Sequence, residues 1–227
     1  MRTELDLDGP QARFVLADLD EGERSAARDL WFVEDGECFV KRFDAAAGAR
    51  VYPRFAACAG DLLDQTAALA RPRWEDALET LLDRAGEGDW WLGGSGALAV
   101  RGVEVVPRDL DLVTSQAGAE ELAHRLDDLL VEPLTVRDGW IATHFARTFA
   151  GARIEWIGGV SVDAAGARDF GPAAEERLET VRWRGRAIRV PPLDLQLVSA
   201  RARGLAERVT AIERLEHGRK RRPPLER

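Results

Sequence analysis

The chain has 227 residues, 45% of them apolar, with 40 acidic against 32 basic side chains and a net charge of −8. That length carries one large domain, or one domain with an extension, and the acidic balance weighs against a polyanion gripped through many phosphates. No apolar run approaches the ~20 residues of a membrane span, and Met1-Arg2-Thr3-Glu4-Leu5-Asp6 lacks the apolar core of a secretory signal. The two cysteines, Cys38 and Cys58, show no metal-type spacing, which suits free thiols in a reducing cytoplasm.

Residues 1–55 read as strand-rich. Asp29 to Val33 and Glu37 to Phe43 flank Asp35-Gly36 as a hairpin. From about Phe55 to Ala70, Leu62, Leu63, Ala67 and Leu69 fall near helical spacing, and Pro72 then breaks the chain. Trp74, Ala77, Leu78, Leu81 and Leu82 make one buried face of a second helix, ended at Gly86-Glu87-Gly88. A short strand, Asp89 to Leu92, leads to the turn Gly93-Gly94-Ser95-Gly96 and a short helix closed by Gly102. Asp109 to Val113 is a strand and Gln116 to Leu130 a helix. Residues 131–160 read as several strands, with His144 to Phe149 and Arg153 to Ile157 as a hairpin about Gly151-Ala152. A further hairpin joins Val181–Arg184 to Ala187–Val190, and Pro191-Pro192 precede one last helix, Leu193 to Leu215. The basic stretch from His217 onward reads as a frayed tail.

Chemistry concentrates in two places. Asp109 and Asp111 alternate with Leu110 and Leu112, so the carboxylates share one strand face and the leucines the other. Two carboxylates so placed suit a hard cation such as magnesium, which takes oxygen ligands and keeps substrate phosphates in its shell. The glycine-serine turn lies between strand and helix, where backbone approaches a phosphate closely, and Ser95 is placed to cap the helix and donate to a phosphate oxygen. Two metal ions clamping an in-line displacement want a third carboxylate. Glu155, between apolar strand neighbours, is the first choice and Asp163 the second. The plainer reading of Glu155 is a strand residue paired with Arg153 or a cross-strand arginine. Three histidines are scattered, and of seven tryptophans Trp90, Trp91, Trp156 and Trp183 are expected to pack the sheet.

Gly-Gly-Ser, then Asp-x-Asp, then an acidic residue on a later strand resembles the nucleotidyltransferase superfamily with the polymerase-β-like fold. The nearest likeness is to its small bacterial branch of antibiotic (aminoglycoside and lincosamide) and toxin-type enzymes. The resemblance spans roughly Trp74 to Leu215. It implies an α/β (α+β) mixed sheet with flanking helices, here with a β-rich N-terminal extension (1–70), the transferase domain (71–216) and a basic tail (217–227). It also implies that Gly93, Gly94 and Ser95 hold the triphosphate, while Asp109, Asp111 and Glu155 hold two magnesium ions and carry the catalysis. Relatives often carry a lysine on the helix after the last hairpin; here Arg201 and Arg203 stand there, and Arg201 takes the nucleotide contact. The implied activity is transfer of a nucleoside monophosphate, AMP from ATP, to a hydroxyl acceptor in the cytoplasm. A small molecule is favoured as acceptor, and the acidic charge suits a cationic one. A toxin-type enzyme acting on tRNA or protein, or a non-catalytic nucleotide-binding module, are the alternatives.

Overall fold

A computed structural model describes residues 1–137, 140–161 and 168–221. Asp163 and the tail from residue 222 onward lie outside the described residues.

The N-terminal part is a four-stranded antiparallel sheet, in the order β1 (Arg2–Asp8), β2 (Gln11–Ala17), β4 (Cys38–Asp44), β3 (Val33–Asp35). Two helices depart from the strand-rich expectation. α1 (Glu21–Asp29) is started by a capping box in which Asp20 accepts from the Glu23 amide and Glu23 reciprocates. α2 (Ala45–Thr66) begins ten residues earlier than its apolar spacing suggests, because Asp44 caps it by accepting from the amides of Ala46 and Ala47. The alanine run at 45–47 then carries the first turn, and Pro53 is tolerated within the helix.

α3 (Trp74–Ala85) buries Ala77, Leu78, Leu81 and Leu82, the face given by their spacing. After it come β5 (Trp90–Leu92), α4 (Gly94–Val100), β6 (Asp109–Thr114), α5 (Gln116–Arg125), β7 (Leu130–Val136), β8 (Ala142–Phe149) and β9 (Arg153–Val160). These strands form one mixed sheet in the order β5-β6-β9-β8-β7, parallel only between β6 and β9. α5 ends at Arg125 and a single 3-10 turn follows before β7, so the expected helix to Leu130 is shorter. One sheet face is apolar: Leu110, Leu112, Ile154 and Trp156 are fully buried, and the Trp156 indole donates to the Ala119 carbonyl of α5.

α6 (Pro172–Glu175) and the hairpin β10 (Glu179–Trp183)–β11 (Arg186–Val190) follow. The last helix is two: α7 (Leu193–Ala202) and α8 (Ala206–Arg221), parted at Gly204, whose φ of +67° suits glycine. The break turns α8 back, so that Ile212 packs with Leu98, Val103, Leu193 and Ala200 in a small second core. The main core is continuous: Phe14, Leu16 and Phe39 of the N-terminal sheet join the same apolar cluster as Leu110, Ile154 and Trp156.

Candidate active site

The second sheet face is charged, and register explains how. Asp109 and Asp111 of β6 lie directly beside Arg153 and Glu155 of β9, Glu155 lies beside Arg147 of β8, and Arg147 beside Glu132 of β7. Directly paired residues point to one face, so a row of alternating charge, Asp111–Glu155–Arg147–Glu132, crosses the sheet. Lys41 of β4 closes it, at 2.5 Å from Glu132 and 2.8 Å from the Leu30 carbonyl. The Glu155 carboxylate accepts from Arg147 Nε at 2.8 Å and lies 3.4 Å from Arg153, whose other amino group is 2.7 Å from Asp109. Both arginine partnerships of the plainer reading of Glu155 are therefore present.

Asp109, Asp111, Arg153 and Glu155 floor a cleft of about 1220 Å³ that also holds Gly93, Gly94 and Ser95. The Gly93 amide donates to the Asp111 carbonyl at 2.7 Å, which ties the turn to β6. Gly94 has φ +53°, and a Cβ there would collide with the Asp111 carboxylate. Gln196 of α7, itself buried, donates to the Gly94 carbonyl at 3.2 Å from below. Gly93, not Ser95, is the N-cap of α4; Ser95 lies within the first turn, buried on the cleft floor.

Electrostatics separates the carboxylates. Burial, then Asp109, then Glu155 push Asp111 up to about 7. Asp109 is also raised, by burial and by Glu155, against the pull of Arg153. Burial acts upward on Glu155 too, but Arg147 and Arg153 overcome it and hold the carboxyl below its usual range. Among the described residues, no three His, Cys, Asp or Glu side chains stand ready to enclose a metal ion. The expected three-carboxylate cage is thus not formed as it stands: the Arg153 guanidinium lies between Glu155 and Asp109, and Arg147 holds Glu155 from the β8 side. The donor set on β6 nonetheless fits a cation: two adjacent carboxylates, both with raised pKa, gain most from a positive ion between them.

One expected residue is elsewhere. Arg201 pairs with Glu213 at 2.8 Å on the exposed side of the C-terminal helices and does not line the cleft. The helix break at Gly204 explains it, since the chain turns there and brings Arg203 and Arg208 to the cleft instead. Arg208 feels the attraction of Asp111, Asp169 and Asp109. Asp169, raised by burial, also lines the cleft. Neither Arg208 nor Asp169 stands in a motif, so only the fold reveals them. His144 is buried against the Thr143 hydroxyl at 2.8 Å and is structural. Two tryptophans without a pattern of their own, Trp31 and Trp140, reach the cleft, while Trp90, Trp91 and Trp156 are buried beside the sheet.

No family profile matches the chain, and no curated protein matches it in sequence. Among solved structures it is similar to a candidate nucleotidyltransferase of Thermotoga maritima, at 21% identity and a TM-score of 0.50, over 65% of this chain and 95% of that one. It is also similar to the lincosamide antibiotic adenylyltransferase LnuA, solved with lincomycin bound, at 11% identity and a TM-score of 0.45, over 63% and 98% of the two chains. A third likeness is to the antibiotic-resistance factor ANT(2'')-Ia, at 16% identity and a TM-score of 0.37, over 65% and 90%. The first of these, with the mixed sheet and its charged face, shows that this chain has the nucleotidyltransferase fold.

Proposed function

We propose that the chain is a magnesium-dependent nucleotidyltransferase that moves a nucleoside monophosphate, AMP from ATP, onto a hydroxyl of a small molecule and releases pyrophosphate. The observation that carries this reading is the contact between Gly94 and Asp111. Only glycine fits over that carboxylate, which leaves the turn open for phosphate directly beside the two carboxylates of β6.

Asp109 and Asp111 would hold the metal, which when bound polarises the α-phosphate and neutralises charge on the leaving pyrophosphate. The turn Gly93–Ser95 receives the β- and γ-phosphates, and Gln196 holds it in place. Arg203 and Arg208, which also line the cleft, offset triphosphate charge. Glu155 stays ionised between Arg147 and Arg153, so it is a weak base. Its part is to accept a hydrogen bond from the acceptor hydroxyl and orient it.

One observation favours a second reading. Arg153 already lies against Asp109, and a nucleotide-binding module with a neutralised site would keep such a pair. The two readings separate in one assay, with α-labelled ATP, magnesium and a panel of hydroxyl acceptors. The enzyme predicts pyrophosphate release that needs both metal and acceptor and falls at least about 100-fold in Asp111→Asn. ATP binding that persists unchanged without magnesium, with no turnover on any acceptor, would establish the module.

A further inference from the structure

The N-terminal sheet contributes a wall to the cleft through a single corner. α1 ends in a Schellman turn: the Trp31 amide donates to the Arg28 carbonyl at 2.8 Å and the Phe32 amide to the Ala27 carbonyl at 2.9 Å. The position after such a helix end needs a left-handed backbone, and glycine is the usual occupant. Here it is a tryptophan with φ +66°, 40% exposed. A bulky residue in that conformation costs energy that glycine avoids, which directs attention to its side chain. The ring lies 4.8 Å from Phe145 and 5.8 Å from Trp140, and those two lie 6.0 Å apart. All three line the cleft.

The sheet order gives this trio its meaning. The phosphate turn follows β5, the carboxylates stand on β6 and β9, and Phe145 stands on β8. In an in-line displacement the attacking oxygen lies opposite the leaving one. Pyrophosphate leaves toward the β5 side, so the acceptor comes from the β8 side. Strands are about 4.8 Å apart, so the body of an acceptor whose hydroxyl is at Glu155 reaches Phe145 and Trp31 within about one more strand. Val105, Leu205 and Ala211 also line the cleft and leave the nucleoside an apolar place of its own.

Charge narrows the class. The Lys41 ammonium lies 5.3 Å from the Trp31 ring centre, and the guanidiniums of Arg147 and Arg137 lie 5.6 and 5.7 Å from it. Glu132 and Glu155 neutralise Lys41 and Arg147, but these cationic groups already take the places about the indole that a cationic acceptor would use. The ring is therefore no seat for the cationic acceptor that the overall charge of −8 suggests.

We infer that Trp31, Trp140 and Phe145 form the acceptor wall, and that the acceptor is a compact, uncharged hydroxyl compound with a flat apolar face that stacks on Trp31. This rests on the nucleotidyl-transfer reading above.

Calorimetric titration tests it on the full chain loaded with magnesium and α,β-methylene-ATP. The probes are 4-nitrophenyl β-glucoside, glucose and a polycationic aminoglycoside. The wall predicts that the aryl glycoside binds at least tenfold tighter than glucose. Trp31→Ala and Trp31→Gly abolish that preference, Trp31→Phe keeps most of it, and triphosphate affinity does not change. Trp31→Gly suits the left-handed backbone, so it separates loss of the ring from loss of the fold. Equal binding of the two sugars, an unchanged preference in both variants, tightest binding of the aminoglycoside, or a loss of triphosphate affinity in the variants would each overturn the inference. Failure of the unaltered chain to bind the magnesium triphosphate at all would instead overturn the nucleotide reading.

Discussion

Asp111 is the side chain with most to gain from a cation. Its carboxyl ionises near 3.8 in an unfolded chain and near 7 in the fold. Between those values the metal-free fold binds more protons than the unfolded chain, so its stability falls as pH rises from about 4 to 7. Asp111→Asn removes that penalty. Without metal, the variant should melt above the unaltered protein at pH 8 and level with it at pH 3.5; magnesium should raise only the unaltered protein at pH 8. Equal pH profiles for the two proteins would show that Asp111 is not destabilised by burial and its neighbours. Gly94 offers a second test at this scale. Gly94→Ala places a methyl against the Asp111 carboxylate, whereas Gly102→Ala, at φ +82°, meets open space. Each should lose about 1–2 kcal/mol of stability from its left-handed backbone, but only Gly94→Ala should lose triphosphate affinity, measured by titration. The sequence shows Gly94, Asp109 and Asp111 because they sit close together in a patterned segment. It does not show Trp31, Asp169 or Arg208, which reach the cleft only through a helix end, a loop and a helix break.

At the level of elements, β9 joins β6, with its two aspartates, to the buried row of charge. Arg147 is 1% exposed and stands between Glu132 and Glu155. Replacing one partner of a buried ion pair strands the others, so Arg147→Met should cost about 3–5 kcal/mol in denaturant unfolding. Arg147→Lys keeps the charge but loses the two-sided fork and should fall between the two. A loss below about 1 kcal/mol for Arg147→Met would mean that the row does not brace the sheet. Alternation and apolar spacing made α3, β6 and the hairpin β10–β11 legible. They failed where a cap or a glycine decides: Asp44 starts α2 early and Gly204 cuts the last helix in two. Parity within a strand puts Glu155 and Arg153 on one face, but only the strand order reveals that Arg147 and the two aspartates of β6 share it.

Across the whole molecule, the N-terminal sheet and the mixed sheet share one apolar core and one buried ion pair, Lys41 with Glu132. Residues 71–227 alone would expose Leu130, Val131 and their neighbours on β7, the strand that α2 packs against. We expect that fragment to lose cooperative melting in calorimetry, although it contains the whole region of family resemblance. A sharp transition near that of the full chain would show two independent folding units. Residues 1–70 looked like an added arm because their sequence carries no motif of its own; their contribution is packing and the Trp31 corner, neither of which local periodicity records.

The most direct measurement is crystallographic: manganese and α,β-methylene-ATP bound to the chain, with the anomalous signal of the metal located. A peak is expected about 2.1 Å from oxygens of both Asp109 and Asp111, with the triphosphate on Gly94 and Arg153 drawn off Asp109. A triphosphate bound without metal at those carboxylates, with Arg153 still against Asp109, would contradict a metal-dependent transferase.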